Sequence, residues 1–321
     1  MKATARAFAI QGLVKYHGLR DPRLRLPYHD SISVCMRALP TITTVEMDAY
    51  YARDEVNING RIPSPRELDR VEVVLDTLRH MAAKRVYGRV VSRNPEVDGK
   101  GLGFSASGFA ALGLAAATAL GLDPGTKRLS EIVRLGAGSA SRSLVGGFSI
   151  WYASRKRHSY AEQVAKPDSV KLRTIIAPVK SALKTDTAHK DSVSSPMFKA
   201  RLRYVSAQVS KMKRAIAKGD VPRIGAIAEE DTLNLHAVTM TGPAGIILIT
   251  PVSLAILHEV RRLREEDDVP AWFSLDTGPS VFINTLPGSV EKVKRAVGKL
   301  TEELILSAPG GAAEILDKHL F

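Results

Sequence analysis

Cysteine is nearly absent: the 321 residues carry one, Cys35. A disulfide framework within the chain is excluded, which suits a reducing, cytoplasmic setting. Aromatic residues make up 6% of the chain, which leaves stacking platforms for single-stranded nucleic acid scarce. Long apolar runs are missing, apart from one charge-free stretch at 101–122. It is built of Gly, Ala and Ser with no flanking aromatic belt, so it reads as a buried helix rather than a membrane span. The N-terminus MKATARAFAIQG has no long apolar segment and no cleavage site, so no signal peptide is expected. Repeats and low-complexity segments are also lacking. Acidic residues are outnumbered, 33 against 46 basic, giving a net charge of +13. That balance raises nucleic-acid binding. The cations are spread along the chain, however, and a field that draws in small anionic substrates fits at least as well.

What is present is globular. Hydrophobic residues are 45% and charged residues 25%, enough for a sizeable core and two domains. SISVCM alternates as a strand with Cys35 half-buried in it, and TTVEM reads as a second short strand. VNINGRI carries Asn59-Gly60, a type I′ hairpin signal. Ser64-Pro65 opens a helix with Glu67 placed for a capping box, and Leu68, Val71, Val74, Leu75 and Leu78 keep helical spacing. RVYGRVVS is a third strand. Two glycine-rich helices follow, one from about Gly103 to the breaker cluster at 121–125, the other capped by Ser130 and containing RLGAGSASRSL. GGFSIWYAS is a strand, and the charged run 155–168 marks the domain boundary, dividing the chain into 1–166 and 167–321. The second half reads as α+β. It has strands at LRTIIAPV, WFSLD and VFINT, and helices at 197–218, 252–264 and 289–304. The basic face of the first of these (Lys199, Arg203, Lys211, Lys213, Arg214) reads as solvated.

Three places offer chemistry. Gly101, Gly103 and Gly108 bracket Ser105 and Ser107 after a strand and at a helix start. Glycines there let a phosphate approach backbone N–H groups. Close helix packing explains the same residues, and the stretch matches neither common nucleotide motif. Ser139 and Arg142, three apart, share a helix face among small residues, where a guanidinium calls for an anionic partner: a ligand or an internal salt bridge. In SLDTGPS, Asp276 stands between an apolar strand and a turn, either as a turn former or as a carboxylate held at a strand end.

Together these pieces resemble the GHMP family of small-molecule kinases, and within it the mevalonate-diphosphate-decarboxylase branch. Five segments carry the resemblance in order: VKYHGLRDPRLRLPYHDSISV, GLGFSASGFAAL, RLGAGSASRSLVGGFSIW, EEDTLNLHAV and SLDTGPSVFI. The resemblance implies a two-domain α+β GHMP kinase fold, with a ribosomal-protein-S5-like N-terminal domain and a ferredoxin-like C-terminal domain. It implies ATP as co-substrate with Mg²⁺, the metal ligands being unknown, and a homodimer acting on small molecules rather than on nucleic acid or membrane. ATP phosphates would lie on Gly101, Leu102, Gly103, Ser105, Ala106 and Ser107. Asp276, with Lys15 close by, would orient or deprotonate the substrate's 3-hydroxyl for attack on the γ-phosphate. Arg142 would hold the substrate carboxylate, with Ser139, Tyr16 and Thr277 in the same pocket. Lys184, His189 and Lys190 in KTDTAHKDS would anchor the 5-phosphate, or belong to a solvated loop. His236 reads as structural.

Departures from the branch's pattern bear on the substrate. Diphosphate-using members read KYWGK where this chain has Lys15-Tyr16-His17-Gly18-Leu19, so a lysine contact to the diphosphate is missing. His29-Asp30 replaces Asn-Ser and is expected to add a negative charge near the substrate. Gln11 stands one position from a missing asparagine, and Phe104 replaces a serine. The pattern resembles phosphomevalonate decarboxylases, which release isopentenyl phosphate. The alternatives are diphosphomevalonate decarboxylase and a mevalonate 3-kinase, which lacks the aspartate. A basic nucleic-acid-binding protein on the same fold is a third reading that leaves Arg142 and Asp276 without a role.

Overall fold

The computed structural model describes residues 1–97, 99–155, 158–180 and 185–321, with Thr185 and Asp186 described as backbone only. The first half is a mixed sheet hung on one long strand. β1 (Lys2–Val14) leads through a short ribbon, β2 (Leu19–Asp21) and β3 (Leu26–Pro27), into β4 (Ser31–Asp48), which pairs back on β1. SISVCM and TTVEM, expected as separate strands, are the two ends of β4. Pro40 has no N–H for a ladder, and the register against β1 shifts just there, between Phe8 and Ile10. A bulge takes up the proline and the strand continues.

β5 (Glu55–Ile58) ends in Asn59-Gly60 with φ of 50° and 79°, as a type I′ turn requires. The expected hairpin is not built. Past a single bridge from Ile58 to Arg61 the chain enters α1 (Pro65–Ala82), and β5 pairs in parallel with β6 (Tyr87–Arg93). Parallel pairing needs a crossover, and α1 is that crossover. It opens as the sequence predicts, the Ser64 N–H donating to the Glu67 carboxylate at 2.9 Å, and it buries Val71, Val74, Leu75 and Leu78.

α2 (Phe104–Leu120) is apolar nearly all round and buried. α3 (Gly125–Gly136) starts after the Pro124 breaker, earlier than expected. Ser130 is therefore not an N-cap; it lies mid-helix, where its hydroxyl accepts the Ala161 N–H at 2.8 Å. RLGAGSASRSL is likewise not one helix. α3 stops at Gly136 and α4 (Ala140–Val145) begins after a break. Close packing forces glycine there: a Cβ on Gly136 would stand 2.1 Å from the Phe109 ring, and one on Gly138 2.6 Å from Trp151. β7 (Phe148–Trp151) pairs with the start of β4, and β8 (Ala161–Ala165) with β7. The charged run 155–168 thus contains a strand of the first sheet rather than being linker throughout.

The second half holds an antiparallel sheet in the order β10–β11–β9–β12, made by β9 (Arg173–Ala177), β10 (Ala271–Ser274), β11 (Val281–Thr285) and β12 (Ile305–Ser307). Among the described residues four helices intervene between β9 and β10: α5 (Thr185–Ser192), α6 (Phe198–Ala217), α7 (Val221–Met240) and α8 (Pro251–Glu265). KTDTAHKDS therefore carries a helix rather than a loop. α6 buries Val205, Val209, Met212 and Ile216 and leaves Lys199, Arg203, Lys213 and Arg214 in water. α9 (Val290–Val297) is shorter than expected because Gly298 ends it. The chain then returns to the first sheet, where β13 (Glu314–Leu316) pairs with β1. The result is a two-domain α+β architecture. No helix among the described residues is long and apolar enough to cross a membrane.

Candidate active site

A cavity of about 770 Å³ opens where β1, the start of α2, the α3–α4 break and the turn after β10 meet. Asp276 sits in that turn. The Gly12 N–H on β1 donates to both carboxylate oxygens at 3.1 Å. Gly12 must be glycine, because a Cβ there would stand 2.7 Å from Asp276 Oδ1. Burial raises the Asp276 pKa, opposed by the Lys15 charge, the Gly12 hydrogen bond and Arg142. A carboxylate under that tension accepts a proton more readily than a surface aspartate, yet is held in one orientation.

Lys15 is buried, and burial lowers its pKa against the pull of Asp231 and Asp276. Its ion-pair partner is Asp231 of α7, at 3.9 Å, a residue the sequence reading did not single out. Asp231 also accepts the Lys15 N–H at 2.8 Å and pairs with fully buried Arg201 of α6 at 3.2 Å. Arg201 in turn donates to the Lys15 carbonyl and to Asn234, each at 2.6 Å. This network fixes the backbone at Lys15 and holds its ammonium beside Asp231, with the Asp276 charge also acting on it. The EEDTLNLHAV segment supplies Asp231 and, five residues on, His236. That ring is buried and neutral, its pKa pushed down to about 4 by burial and then by the Lys15 charge.

Arg142 is 2% exposed. It donates to Ser31 Oγ at 2.8 Å, and its Nε has no partner among the described residues. Its guanidinium stands 5.6 Å from the Tyr16 ring and 5.8 Å from Trp151. Burial brings its pKa down to about 10. Among the described residues no carboxylate lies within ion-pair distance, so the internal salt bridge is not built. Burying such a charge without an anion is unfavourable. An anionic ligand in the cavity would relieve that cost. Ser139 lines the same cavity because the α3–α4 break exposes it.

The glycine loop closes the opposite wall. Gly101 and Gly103 have φ of 82° and 80°. Gly101 abuts Gly278 so closely that a Cβ on Gly101 would stand 2.9 Å from the other's Cα. A Cβ on Gly103 would stand 2.6 Å from the Ile10 carbonyl. Backbone bonds from Lys100 to Val179 at 3.0 Å and from Ser280 to Lys100 at 3.3 Å tie the loop to the second sheet. The loop therefore leads rigidly into the N-terminus of α2, with Ser105 exposed in the first turn. N–H groups there favour an anion.

The structure gathers Lys15, Tyr16, Gly101, Leu102, Gly103, Ser105, Ala106, Ser139, Arg142, His189, Asp276 and Thr277 around one cavity. Two expected residues are not brought to it. The Ser107 hydroxyl points inward, bonded to Thr41 Oγ1 at 2.6 Å, and Lys190 is exposed and does not line the cavity. Lys184 lies outside the described residues. Asp30 does not stand over the cavity as expected, because its carboxylate accepts the Ala153 N–H at 2.7 Å. Sequence reasoning missed Arg25, Arg66 and Arg70, which add positive charge to the rim, and Gly12, whose only signal was a glycine in a strand.

Known proteins are similar to this chain over nearly its whole length. Residues 7–161 match a diphosphomevalonate decarboxylase-like N-terminal domain, and residues 178–305 a mevalonate 5-diphosphate decarboxylase C-terminal domain. A phosphomevalonate decarboxylase of Haloferax volcanii is 41% identical over 319 residues, 99% of this chain and 98% of its own. The mevalonate diphosphate decarboxylase from Enterococcus faecalis superposes with a TM-score of 0.92 at 30% identity, covering 99% of both chains. A solved complex with MVAPP, AMPPCP and magnesium gives the same TM-score at 29% identity, again over 99% of both chains.

Proposed function

The chain belongs to the diphosphomevalonate decarboxylase family, and from this we propose that it converts mevalonate 5-phosphate and ATP to isopentenyl phosphate, ADP, phosphate and CO₂. The observation that carries the chemistry is Arg142, a buried guanidinium with no carboxylate partner among the described residues, facing the same cavity as Asp276. A substrate carboxylate is the anion it lacks, and a guanidinium binds one through two parallel bonds.

ATP lies with its phosphates over the 101–103 loop and the first turn of α2, Ser105 reaching a transferring oxygen. Ser105 is a hard oxygen donor at that end of the cavity and fits Mg²⁺, which would be held mainly by phosphates and water. Mg²⁺, when bound, neutralises part of the phosphate charge. Asp276 orients the tertiary 3-hydroxyl and takes its proton as the oxygen attacks the γ-phosphorus and ADP leaves. The 3-phosphate then departs with its bonding electrons, a cation-like centre forms at C3, and the C1–C2 bond breaks to fill it. CO₂ and the alkene result. Arg142 and Ser139 hold the carboxylate until that bond breaks. Most of the rate enhancement is positioning and electrostatics.

The choice of a monophosphate rests on the Haloferax volcanii relative and on Leu19, apolar where diphosphate users carry lysine. Tyr16, Thr277 and His189 complete the substrate pocket. The same proposal includes a division between domains at 166/167, a homodimer and a cytoplasmic setting.

The test is stoichiometry. With ATP and mevalonate 5-phosphate, ADP and CO₂ should appear in equal amounts. ADP without CO₂ would make the protein a 3-kinase and take the decarboxylation step out of this scheme.

A further inference from the structure

Two arginines from different elements hold the end of α3, and the scheme above uses neither. Arg25, in the connection between β2 and β3, donates from Nε to the Leu135 carbonyl at 3.0 Å. Arg70 of α1 donates from Nε to the Gly136 carbonyl at 2.7 Å. Those carbonyls belong to consecutive residues of one helix turn, so the two guanidinium groups are neighbours. A helix end carries roughly half a negative charge, against two positive charges here. Capping α3 therefore leaves positive charge over. Both arginines line the cavity, as do Ala137, Gly138 and Ser139, into which the end of α3 runs. Neither acid that lines the cavity, Glu67 or Asp276, pairs with Arg25. It makes no other hydrogen bond or ion pair among the described residues, and its terminal nitrogens are not sealed in protein.

The backbone adds a second observation. Arg25 has a φ of 49°, in the left-handed region that a long side chain rarely takes. Neighbouring bonds enforce that shape. The Asp21 carboxylate accepts the Leu24 N–H at 2.9 Å, and Arg134 of α3 donates to the Leu24 carbonyl at 3.1 Å. Glycine would sit at position 25 with less strain. Strain held in place beside a cavity points to a task for the side chain.

We propose that Arg25 is a phosphate-anchoring residue: with Arg70 beside it at the end of α3, it binds a phosphate group of the ligand through the terminal N–H groups of its fork. The function proposed above supplies two sources, the 5-phosphate of mevalonate 5-phosphate and ATP. The ribbon favours the first. It also carries Leu19, where diphosphate users have a lysine, so Arg25 returns a cation to the element that lost one. That assignment rests on the functional reading; the phosphate site itself does not.

Calorimetric titration of the wild type, Arg25→Gly and Arg25→Gln, each well below its melting temperature, tests this. The probes are mevalonate 5-phosphate, mevalonate, ATP and inorganic phosphate. Arg25→Gly should weaken mevalonate 5-phosphate by about 10-fold or more and leave mevalonate, which has no phosphate, unchanged. Weakening of ATP alone refutes the 5-phosphate assignment and gives the site to the nucleotide. Unchanged affinity for both phosphate ligands overturns the proposal and, with a lowered melting temperature, makes Arg25 only a cap on α3. If Arg25→Gly does not fold, Arg25→Gln, which keeps a long side chain without the charge, decides in the same way. A wild type that neither binds nor turns over mevalonate 5-phosphate, but binds inorganic phosphate more tightly than Arg25→Gln does, would refute the functional reading and leave the site standing.

Discussion

Asp276→Asn is expected to lower turnover by on the order of 10³-fold or more while ATP and substrate still bind. The substitution is nearly isosteric, and the asparagine oxygen still accepts the Gly12 N–H that both carboxylate oxygens share at 3.1 Å. What disappears is the basic oxygen facing the cavity and the charge that helps keep Lys15 protonated. Equilibrium binding and single-turnover measurement of ADP formation separate the two effects. A variant that keeps more than about a tenth of the wild-type rate would remove Asp276 from the mechanism. The wild-type pH profile carries the same signature. Asp276 works as a base only when ionised, so rate is lost as pH falls through its pKa. Because burial raises that pKa, the acid limb should lie above the ordinary aspartate range.

Arg142→Lys is expected to lose about 2–4 kcal/mol of transition-state stabilisation with the fold intact. That is roughly 30- to 1,000-fold in kcat/KM. Lysine keeps the charge but not the planar fork, so it reaches either Ser31 Oγ or a substrate carboxylate, not both in the present geometry. Loss of thermal stability with full activity in the folded fraction would instead make Arg142 a packing residue. The absence of an ion-pair partner for Arg142 among the described residues argues for the first outcome.

Local chemistry was legible in the sequence wherever a few neighbouring residues decide the structure. Ser64 and Glu67 announce α1, Asn59-Gly60 its positive-φ turn, and Gly121 the end of α2. Legibility failed where a partner far along the chain decides. Asn59-Gly60 makes its turn, but the pairing of β5 with β6 is set by the α1 crossover. SISVCM and TTVEM fuse because β1 runs along both, with the bulge at Pro40 hidden from any propensity. RLGAGSASRSL breaks because Phe109 and Trp151 press on its glycines.

The site divides the same way. Residue types gave Arg142 and Asp276, a cation among small residues and an acid at a strand end. Asp231 was invisible, since its role is to hold Lys15, 216 positions away in sequence. Asp30 shows the converse: a charge change in a family motif is conspicuous in sequence, yet the carboxylate is committed to the Ala153 amide. The substrate argument therefore rests on Leu19 and on the pocket around Tyr16 and His189, not on repulsion by Asp30.

The measurement that bears most directly on the central claim is kcat/KM for mevalonate 5-phosphate and for mevalonate 5-diphosphate, each at saturating ATP and Mg²⁺, with CO₂ release as the readout. One missing charge-assisted contact in a partly buried site is worth roughly 1.5–3 kcal/mol. The monophosphate should accordingly be preferred by about 10- to 150-fold. Equal or faster turnover of the diphosphate would contradict the account and make the protein a diphosphomevalonate decarboxylase.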